Sequence, residues 1–446
     1  MKVFMLGWEF PPYISGGLGT ACHGLTKALS DLGVKITFVL PKPIETQTPT
    51  HVQMLTPQHC RASKTVTQTT ETSQELKNVQ FHTVSSPLQP YTTPQQYQKR
   101  LEEIIRQKQL LSSQSQQMLD QWLEQEIEGL SVGPGQYSGD MYTEVHRYAA
   151  AAVRLALQQE FDVIHAHDWM TYPAGIAVAA VTGKPLVVHV HSTEFDRSGE
   201  HVNQMIYDIE RRGIHAAAKV IAVSYLTRNI LMTRYGALGE KIEVIYNGVE
   251  AEDSNRISAQ QVGIRSDEKI VLFLGRITMQ KGPEYFLMAA RKVLEEMENV
   301  KFVMAGSGDM MHRIIEMAAQ MGIGHKVLFT GFLRGEDVNR VYQMADLYVM
   351  PSVSEPFGIA PLEALNHDVP VIISKQSGVA EVLTHVLKVD FWDIQEMANK
   401  IIAVLKYPPL QMTLREHGNF EVRKLKWSGA AKKCLKVYQE VTQVAV

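Results

Sequence analysis

Cysteine is scarce in this chain of 446 residues: Cys22, Cys60 and Cys434 are odd in number and widely scattered. That argues against a disulfide framework and against a thiolate zinc cluster, and it suits a reducing compartment. Net charge is scarce too. The 44 basic and 47 acidic residues nearly cancel and no long basic stripe interrupts them, so electrostatics give no general case for nucleic acid as a partner. No apolar run approaches the roughly twenty residues that a membrane span requires. The chain opens on a six-residue apolar strand and a charged, proline-containing loop, which is not the pattern of a secretory signal. A cytoplasmic location is the expectation.

What the chain does have is short apolar runs alternating with helical patterns, twice over. The first series predicts strands at Lys2 to Leu6, Lys35 to Leu40, Asp162 to His165, Leu186 to Val190, Val220 to Val223 and Ile242 to Ile245. The second predicts Ile270 to Leu274, Lys301 to Ala305, Val327 to Thr330, Asp346 to Met350, Val369 to Ser374 and Val386 to Val389. Continuous apolar strands separated by helices imply parallel sheets covered on both faces. The length exceeds one ordinary core and fits two doubly wound α/β domains of about two hundred residues each. The polar stretch from Gly248 to Ile264 reads as the linker between them and the start of the second domain. Residues 45–140 break the alternation, with a Thr- and Gln-rich first part and a weak helical pattern from Gln95 to Glu128. Such a segment reads as a flexible excursion from the first domain.

Three motifs carry chemistry. In SVSEPFGIAPLEAL, Glu355 lies in a loop whose two prolines forbid a helix, and Glu363 lies in the helix that follows, with seven residues between them. Sugar and ribose hydroxyls are donors that such carboxylates grip by charge-assisted hydrogen bonds. The bland alternative is a surface helix and its cap. The strand ending at Leu274 runs into GRITMQKG, where Gly275 makes the turn and Arg276 and Lys281 precede a helix. A strand, a glycine turn and a helix start form an anion site, and two cations there suit a diphosphate. Near the N-terminus Gly16, Gly17 and Gly19 open a helix, so that backbone N–H groups can approach a phosphate. Tight turns and solvated charges are the competing reading of these residues. A cluster of His165, His167, His189 and His191 with Asp168 nearby invites comparison with a metal site, although the expectation is that no metal is held.

The chain resembles the retaining GT-B glycosyltransferases of family 4, close to bacterial and archaeal glycogen synthase. The resemblance rests on the ordered motifs GGLG, HAHDW from His165 to Trp169, VHS from Val190 to Ser192, YNGVE from Tyr246 to Glu250, GRITMQKG, AGSGD and the glutamate pair. It covers nearly the whole chain apart from about a hundred residues after position 44. Glycogen and starch synthases usually carry a lysine two residues before the glycine pair, where this chain has Ile14, and the family's diglycine near the donor phosphates stands here as Ser377-Gly378.

The resemblance implies a nucleotide-sugar donor, ADP-glucose or UDP-glucose, and a glucan or other carbohydrate acceptor, with no metal or other cofactor. It implies an acceptor-side domain over 1–247, a donor-binding domain over 248–426 and a last helix over 427–446 crossing back to the first domain. Arg276 and Lys281 would take the diphosphate, Glu355 the sugar hydroxyls and Glu363 the ribose, with His191 near the reacting carbon. Gly16, Gly17, Ser307, Gly308, Phe357, Gly358 and Ile359 are the further donor-side positions. Asp168 and Trp169 would line the cleft, His189 would lie behind His191 or in the core, and Asn247 would shape a turn through its Asn-Gly pair. The insertion over 45–140, with its Gln and Tyr residues, would line an acceptor groove or remain a solvated appendage. Transfer to a lipid, a lipopolysaccharide or a small sugar is the alternative within the family. A GT-B epimerase and a non-catalytic glucan-binding protein are the more distant ones.

Overall fold

The structure is a computed structural model that describes residues 1–11, 16–41, 53–55, 79–83, 141–250 and 268–443. The first sheet holds β1 (Lys2–Leu6), β2 (Lys35–Leu40), β3 (Gln53–Leu55), β4 (Val79–Thr83), β5 (Val163–His167), β6 (Leu186–Val190), β7 (Lys219–Ala222) and β8 (Ile242–Val244). Their spatial order is β3-β4-β2-β1-β5-β6-β7-β8. The second holds β9 (Lys269–Leu274), β10 (Val300–Ala305), β11 (Val327–Gly331), β12 (Leu347–Met350), β13 (Val371–Ser374) and β14 (Leu387–Val389), in the order β11-β10-β9-β12-β13-β14. Pairing is parallel around β1, with β2 on one side and β5 on the other, and around β9, between β10 and β12. The chain has the expected α/β architecture of two doubly wound parallel sheets.

The apolar runs are continuous because both faces of each sheet are covered. Val271 and Phe273 of β9 join Phe302, Met304, Leu347 and Val349 in one buried cluster, whereas Ile270 and Leu272 join Val303, Tyr348 and Ile373 in another. Alternate residues of a strand point to opposite faces, so a run that is apolar at every position serves two cores. Helices Pro283–Glu296 and Ile394–Lys406 supply Phe286, Leu287, Ile401 and Val404 to the first cluster. Each such side chain, fully buried, contributes on the order of 1.5–3 kcal/mol.

Contacts between residues divide the chain into two compact units. One comprises 1–190, 208–221 and 434–446, and the other comprises 191–207 and 222–433. His191 is therefore grouped with the second unit. Within the first unit, the end of helix Trp427–Gln443 brings Tyr438 to His165, whose Nδ1 lies 2.5 Å from the tyrosine hydroxyl.

Two expectations need correction. The segment over 45–140 is not wholly an excursion, since it adds β3 and β4 to the sheet edge, with Val79–Thr83 paired in register against Ile36–Leu40. Short strands without a strong apolar alternation leave little trace in sequence. The helical pattern from Gln95 to Glu128 lies outside the described residues. The Asn247-Gly248 pair is not a left-handed turn, for neither residue has a positive φ. Gly248 is needed for a close approach, because a Cβ there would lie 2.3 Å from the backbone nitrogen of Trp427.

Candidate active site

In the second unit the loops that follow β9, β10 and β12 emerge from three adjacent strands at their carboxyl ends, where parallel α/β sheets place their ligands. The first two loops are locked backbone to backbone. Gly275 N–H donates to Ala305 O at 3.0 Å, Ile277 N–H to Ser307 O at 2.9 Å and Met310 N–H to Ile277 O at 3.1 Å. A Cβ on Gly306 would lie 1.9 Å from Gly275 O, and one on Gly308 would lie 2.2 Å from Ile277 O. Gly308 is thus explained by packing, and Gly306, which the sequence did not single out, shares that constraint. Ser307 is exposed beside them, its carbonyl taken by Ile277.

The cations sit on this frame. A single 3-10 turn, Met279–Lys281, precedes the helix that starts at Pro283. Arg276 Nη2 donates to Gln280 Oε1 at 3.1 Å, and the buried Gln280 in turn accepts Val353 N–H at 2.9 Å through its carbonyl. Gln280 was not foreseen, yet it joins the Arg276 side chain to the loop of Glu355. The Lys281 ammonium is paired with Glu355 Oε2, and Ser352 Oγ donates to the same oxygen at 3.2 Å. Lysine carries three N–H donors, so the pairing holds the ammonium in place and leaves donors for a phosphate.

Both glutamates are braced. Glu355, 6% exposed, is fixed through its backbone as well, donating to Gln376 O and accepting from Gly378 N–H. Glu363 lies in the first turn of helix Ala360–Asn366 and accepts a 3.0 Å hydrogen bond from the Tyr342 hydroxyl. Burial pushes the Tyr342 hydroxyl well above its ordinary range, and the charge of Glu363 adds to this. Burial does the same to Tyr348, followed by the charges of Glu355 and Glu363. Two buried tyrosines thus feel the acidic pair, and neither would have been picked from sequence. Between the glutamates, Phe357 belongs to the core, 2% exposed, with its carbonyl taken by Val379 N–H. Gly358 and Ile359 are partly exposed, and a Cβ on Gly358 would press on the Glu355 side chain at 3.2 Å.

His191 follows β6 directly. Desolvation holds its ring neutral, pulling its pKa down to about 3 although part of the residue reaches the surface. In the first unit, Gly16 is the extended N-cap of helix Gly17–Asp31, and Gly17 is exposed with no atom of the described residues within 4 Å of the position of a Cβ. The buried Glu9, not foreseen, already accepts the Gly19 N–H there at 3.1 Å. Asp168 is buried with a φ of 59°, a conformation that costs an L-residue of this kind about 1–3 kcal/mol. Trp169 is 8% exposed, so its ring packs inside the fold and presents little surface to a ligand.

Comparison with known proteins is consistent in kind. Residues 127–253 match the model "Glycosyltransferase Family 4" and residues 254–419 match "Glycosyl transferases group 1". An uncharacterized glycosyltransferase of Methanocaldococcus jannaschii is 37% identical over 237 residues, 51% of this chain and 60% of that protein. A D-inositol 3-phosphate glycosyltransferase of Catenulispora acidiphila is 28% identical across 64% of this chain and 73% of its own. Glycogen synthase of Mycobacterium tuberculosis is 23% identical across 85% and 80%. In fold, the chain is similar to sucrose-phosphate synthase from Thermosynechococcus elongatus, with a TM-score of 0.72, 18% identity and full coverage of both chains. Residues 127–419 thus carry two glycosyltransferase family domains, on the two parallel-sheet α/β fold seen in GT-B glycosyltransferases.

The three histidines His165, His167 and His189 are buried side by side on β5 and β6, their ring nitrogens within 4.8 Å of one another. Their rings are nearly parallel, with interplanar angles of 24°, 10° and 29° and centroids 4.2, 5.4 and 5.3 Å apart. An imidazole donates its lone pair in the ring plane at about 2.0–2.1 Å from zinc. Rings stacked in this way would have to turn before their lone pairs met at one ion. Alternation along β5 explains why His165 and His167 share a face, and a sequence cannot show that the rings stack.

Proposed function

We propose that this glycosyltransferase moves a hexose, glucose in the leading reading, from a nucleoside diphosphate to an acceptor hydroxyl with retention of anomeric configuration. The observation that carries the proposal is the pairing of Lys281 with Glu355, with Arg276 one turn earlier, at the carboxyl ends of β9 and β12. A cation and a carboxylate in contact can address the diphosphate and the sugar of one donor. Arg276 and Lys281 neutralise charge that develops on the diphosphate as the glycosyl bond stretches, and preorganised donors of this kind are usually the largest catalytic term. Glu355 accepts from sugar hydroxyls, and Glu363, oriented by Tyr342, accepts from the ribose.

The bond from the anomeric carbon to the phosphate oxygen breaks while the bond to the acceptor oxygen forms on the same face. The acceptor's proton then needs a base. A His191 ring with a pKa of about 3 is too weak for that task at neutral pH, whereas the departing phosphate oxygen is a stronger base with a pKa of about 6. The proton passes to the leaving diphosphate, and His191 serves as a neutral hydrogen-bonding group beside the reacting carbon. The proposal needs no metal, since protein cations do the electrostatic work.

An α-1,4-glucan end is the proposed acceptor, supported by the ordered motifs and by the long alignment with a glycogen synthase. The inositol phosphate relative, more similar over a shorter stretch, favours a small polyol phosphate as the second reading. Among the described residues no helix is long and apolar enough to cross a membrane. Incubation with ADP- and UDP-sugars, with glycogen, inositol phosphate or no acceptor, decides between them. Transfer to glycogen supports the first, transfer to the inositol phosphate alone replaces it, and no turnover of any sugar nucleotide rejects both.

A further inference from the structure

The segment after His191 is tied to the loop of Glu355 by one buried carboxylate. Thr193 caps the short helical turn Glu194–Ser198 in a reciprocal box with Asp196. Asp196 Oδ2 accepts both the Thr193 N–H and the Thr193 hydroxyl, each at 2.7 Å. That oxygen completes the box on its side. The other oxygen, Oδ1, reaches away from the turn and accepts the Ser354 hydroxyl at 2.6 Å. Asp196 is 2% exposed, and its turn packs on the 3-10 turn that carries Lys281. The bond to Ser354 adds nothing to the cap, so its effect is to join two segments 158 residues apart.

We propose that Asp196 is a positioning residue, which through Ser354 sets where His191 stands relative to Lys281 and Glu355. The inference rests on the reading of those three residues as donor contacts. A bond from a hydroxyl to a buried carboxylate is charge-assisted and short, and it restricts both segments more than a neutral bond does. Misplacing a reacting group by about 1 Å costs up to about a hundredfold in rate, whereas binding of the diphosphate depends on Arg276 and Lys281, neither of which is hydrogen-bonded to Asp196 or Ser354.

The test uses the full chain with Ser354→Ala, Ser354→Thr and Asp196→Asn, compared in steady-state kinetics and in amide hydrogen exchange without substrate. Ser354→Ala is expected to lower kcat by about tenfold while leaving KM for the sugar nucleotide within about twofold. Ser354→Thr, which restores the hydroxyl, is expected to recover most of that loss. Exchange in residues 191–198 is expected to quicken in Ser354→Ala and in Asp196→Asn. Unchanged exchange in Ser354→Ala overturns the tether, and quickened exchange with wild-type kcat overturns its positioning role. A rise in KM matching the fall in kcat overturns it as well. If the wild type turns over no sugar nucleotide, the proposed function fails while the exchange data still decide the tether.

Discussion

The carboxyl ends of the strands are treated differently in the two units. In the second unit the loops after β9, β10 and β12 are clamped backbone to backbone, and charged side chains on them meet: Lys281 with Glu355, Arg276 with Gln280, Glu363 with Tyr342. In the first unit the most conspicuous residues, His165, His167, His189 and Trp169, are buried and stacked or packed. Among the described residues of that unit, the helix end at Gly17 and the strained Asp168 keep the marks of a site. A cluster of functional residue types is therefore a weak guide. Charges held in place by neighbours that restrict their geometry are a stronger one.

The comparison breaks most readily at the cations. Lys281→Ala and Arg276→Ala are each expected to slow turnover by about a hundredfold or more without unfolding the protein, as when a donor to a developing anion is removed. Steady-state rates with circular dichroism as the folding control check this, and full activity in either variant would remove the diphosphate assignment. Gly306→Ala is expected to lower stability by about 2–4 kcal/mol, because the new Cβ meets the Gly275 carbonyl at 1.9 Å. A denaturant midpoint equal to wild type would show that the loops are not locked. Tyr438→Phe, which removes one hydrogen-bond partner of the buried His165, is expected to cost about 1–3 kcal/mol while turnover stays within about twofold. A large loss of rate in a stable Tyr438→Phe would move the histidine stack from the core to the site.

The smallest effects are null ones. EDTA is expected to leave activity nearly intact, and recovery of a chelated enzyme on adding Mg²⁺ or Mn²⁺ would overturn the metal-free proposal. The His191 ring is expected to show no titration by NMR between about pH 8 and 5, since desolvation pulls its pKa down to about 3. The sign for stability follows. An unfolded histidine with a pKa of about 6.5 binds a proton that the folded ring refuses. The contribution of His191 to stability is thus present above about pH 6.5 and is lost as pH falls toward 3. A His191 signal that shifts near pH 6.5 would contradict both statements.

Much of the architecture was legible because short continuous apolar runs alternating with helical patterns select strands covered on both faces. Strands at Lys2–Leu6, Lys35–Leu40 and Leu186–Val190 were read to the residue. β3 and β4 were missed, since strands of three and five residues within a polar stretch carry too little pattern. The loop character of the Glu355 segment followed from its prolines, and the helix of Glu363 from its apolar spacing. Gln280, Tyr342 and Glu9 were not visible, because a brace is defined by what it touches after folding. The burial of Trp169 was likewise not visible, for the same reason.

By itself the sequence determined which residue types occur at the strand ends: cations after β9, carboxylates after β12, glycines where two backbones meet. Local chain geometry carries that information, since a proline excludes a helix and an apolar run selects a strand. Tertiary structure decided which of these groups meet. Lys281 and Glu355 are 74 residues apart, and Asp196 and Ser354 are 158 apart. The first of these contacts arises because parallel strand order places β9 beside β12, a long-range choice that no local propensity encodes.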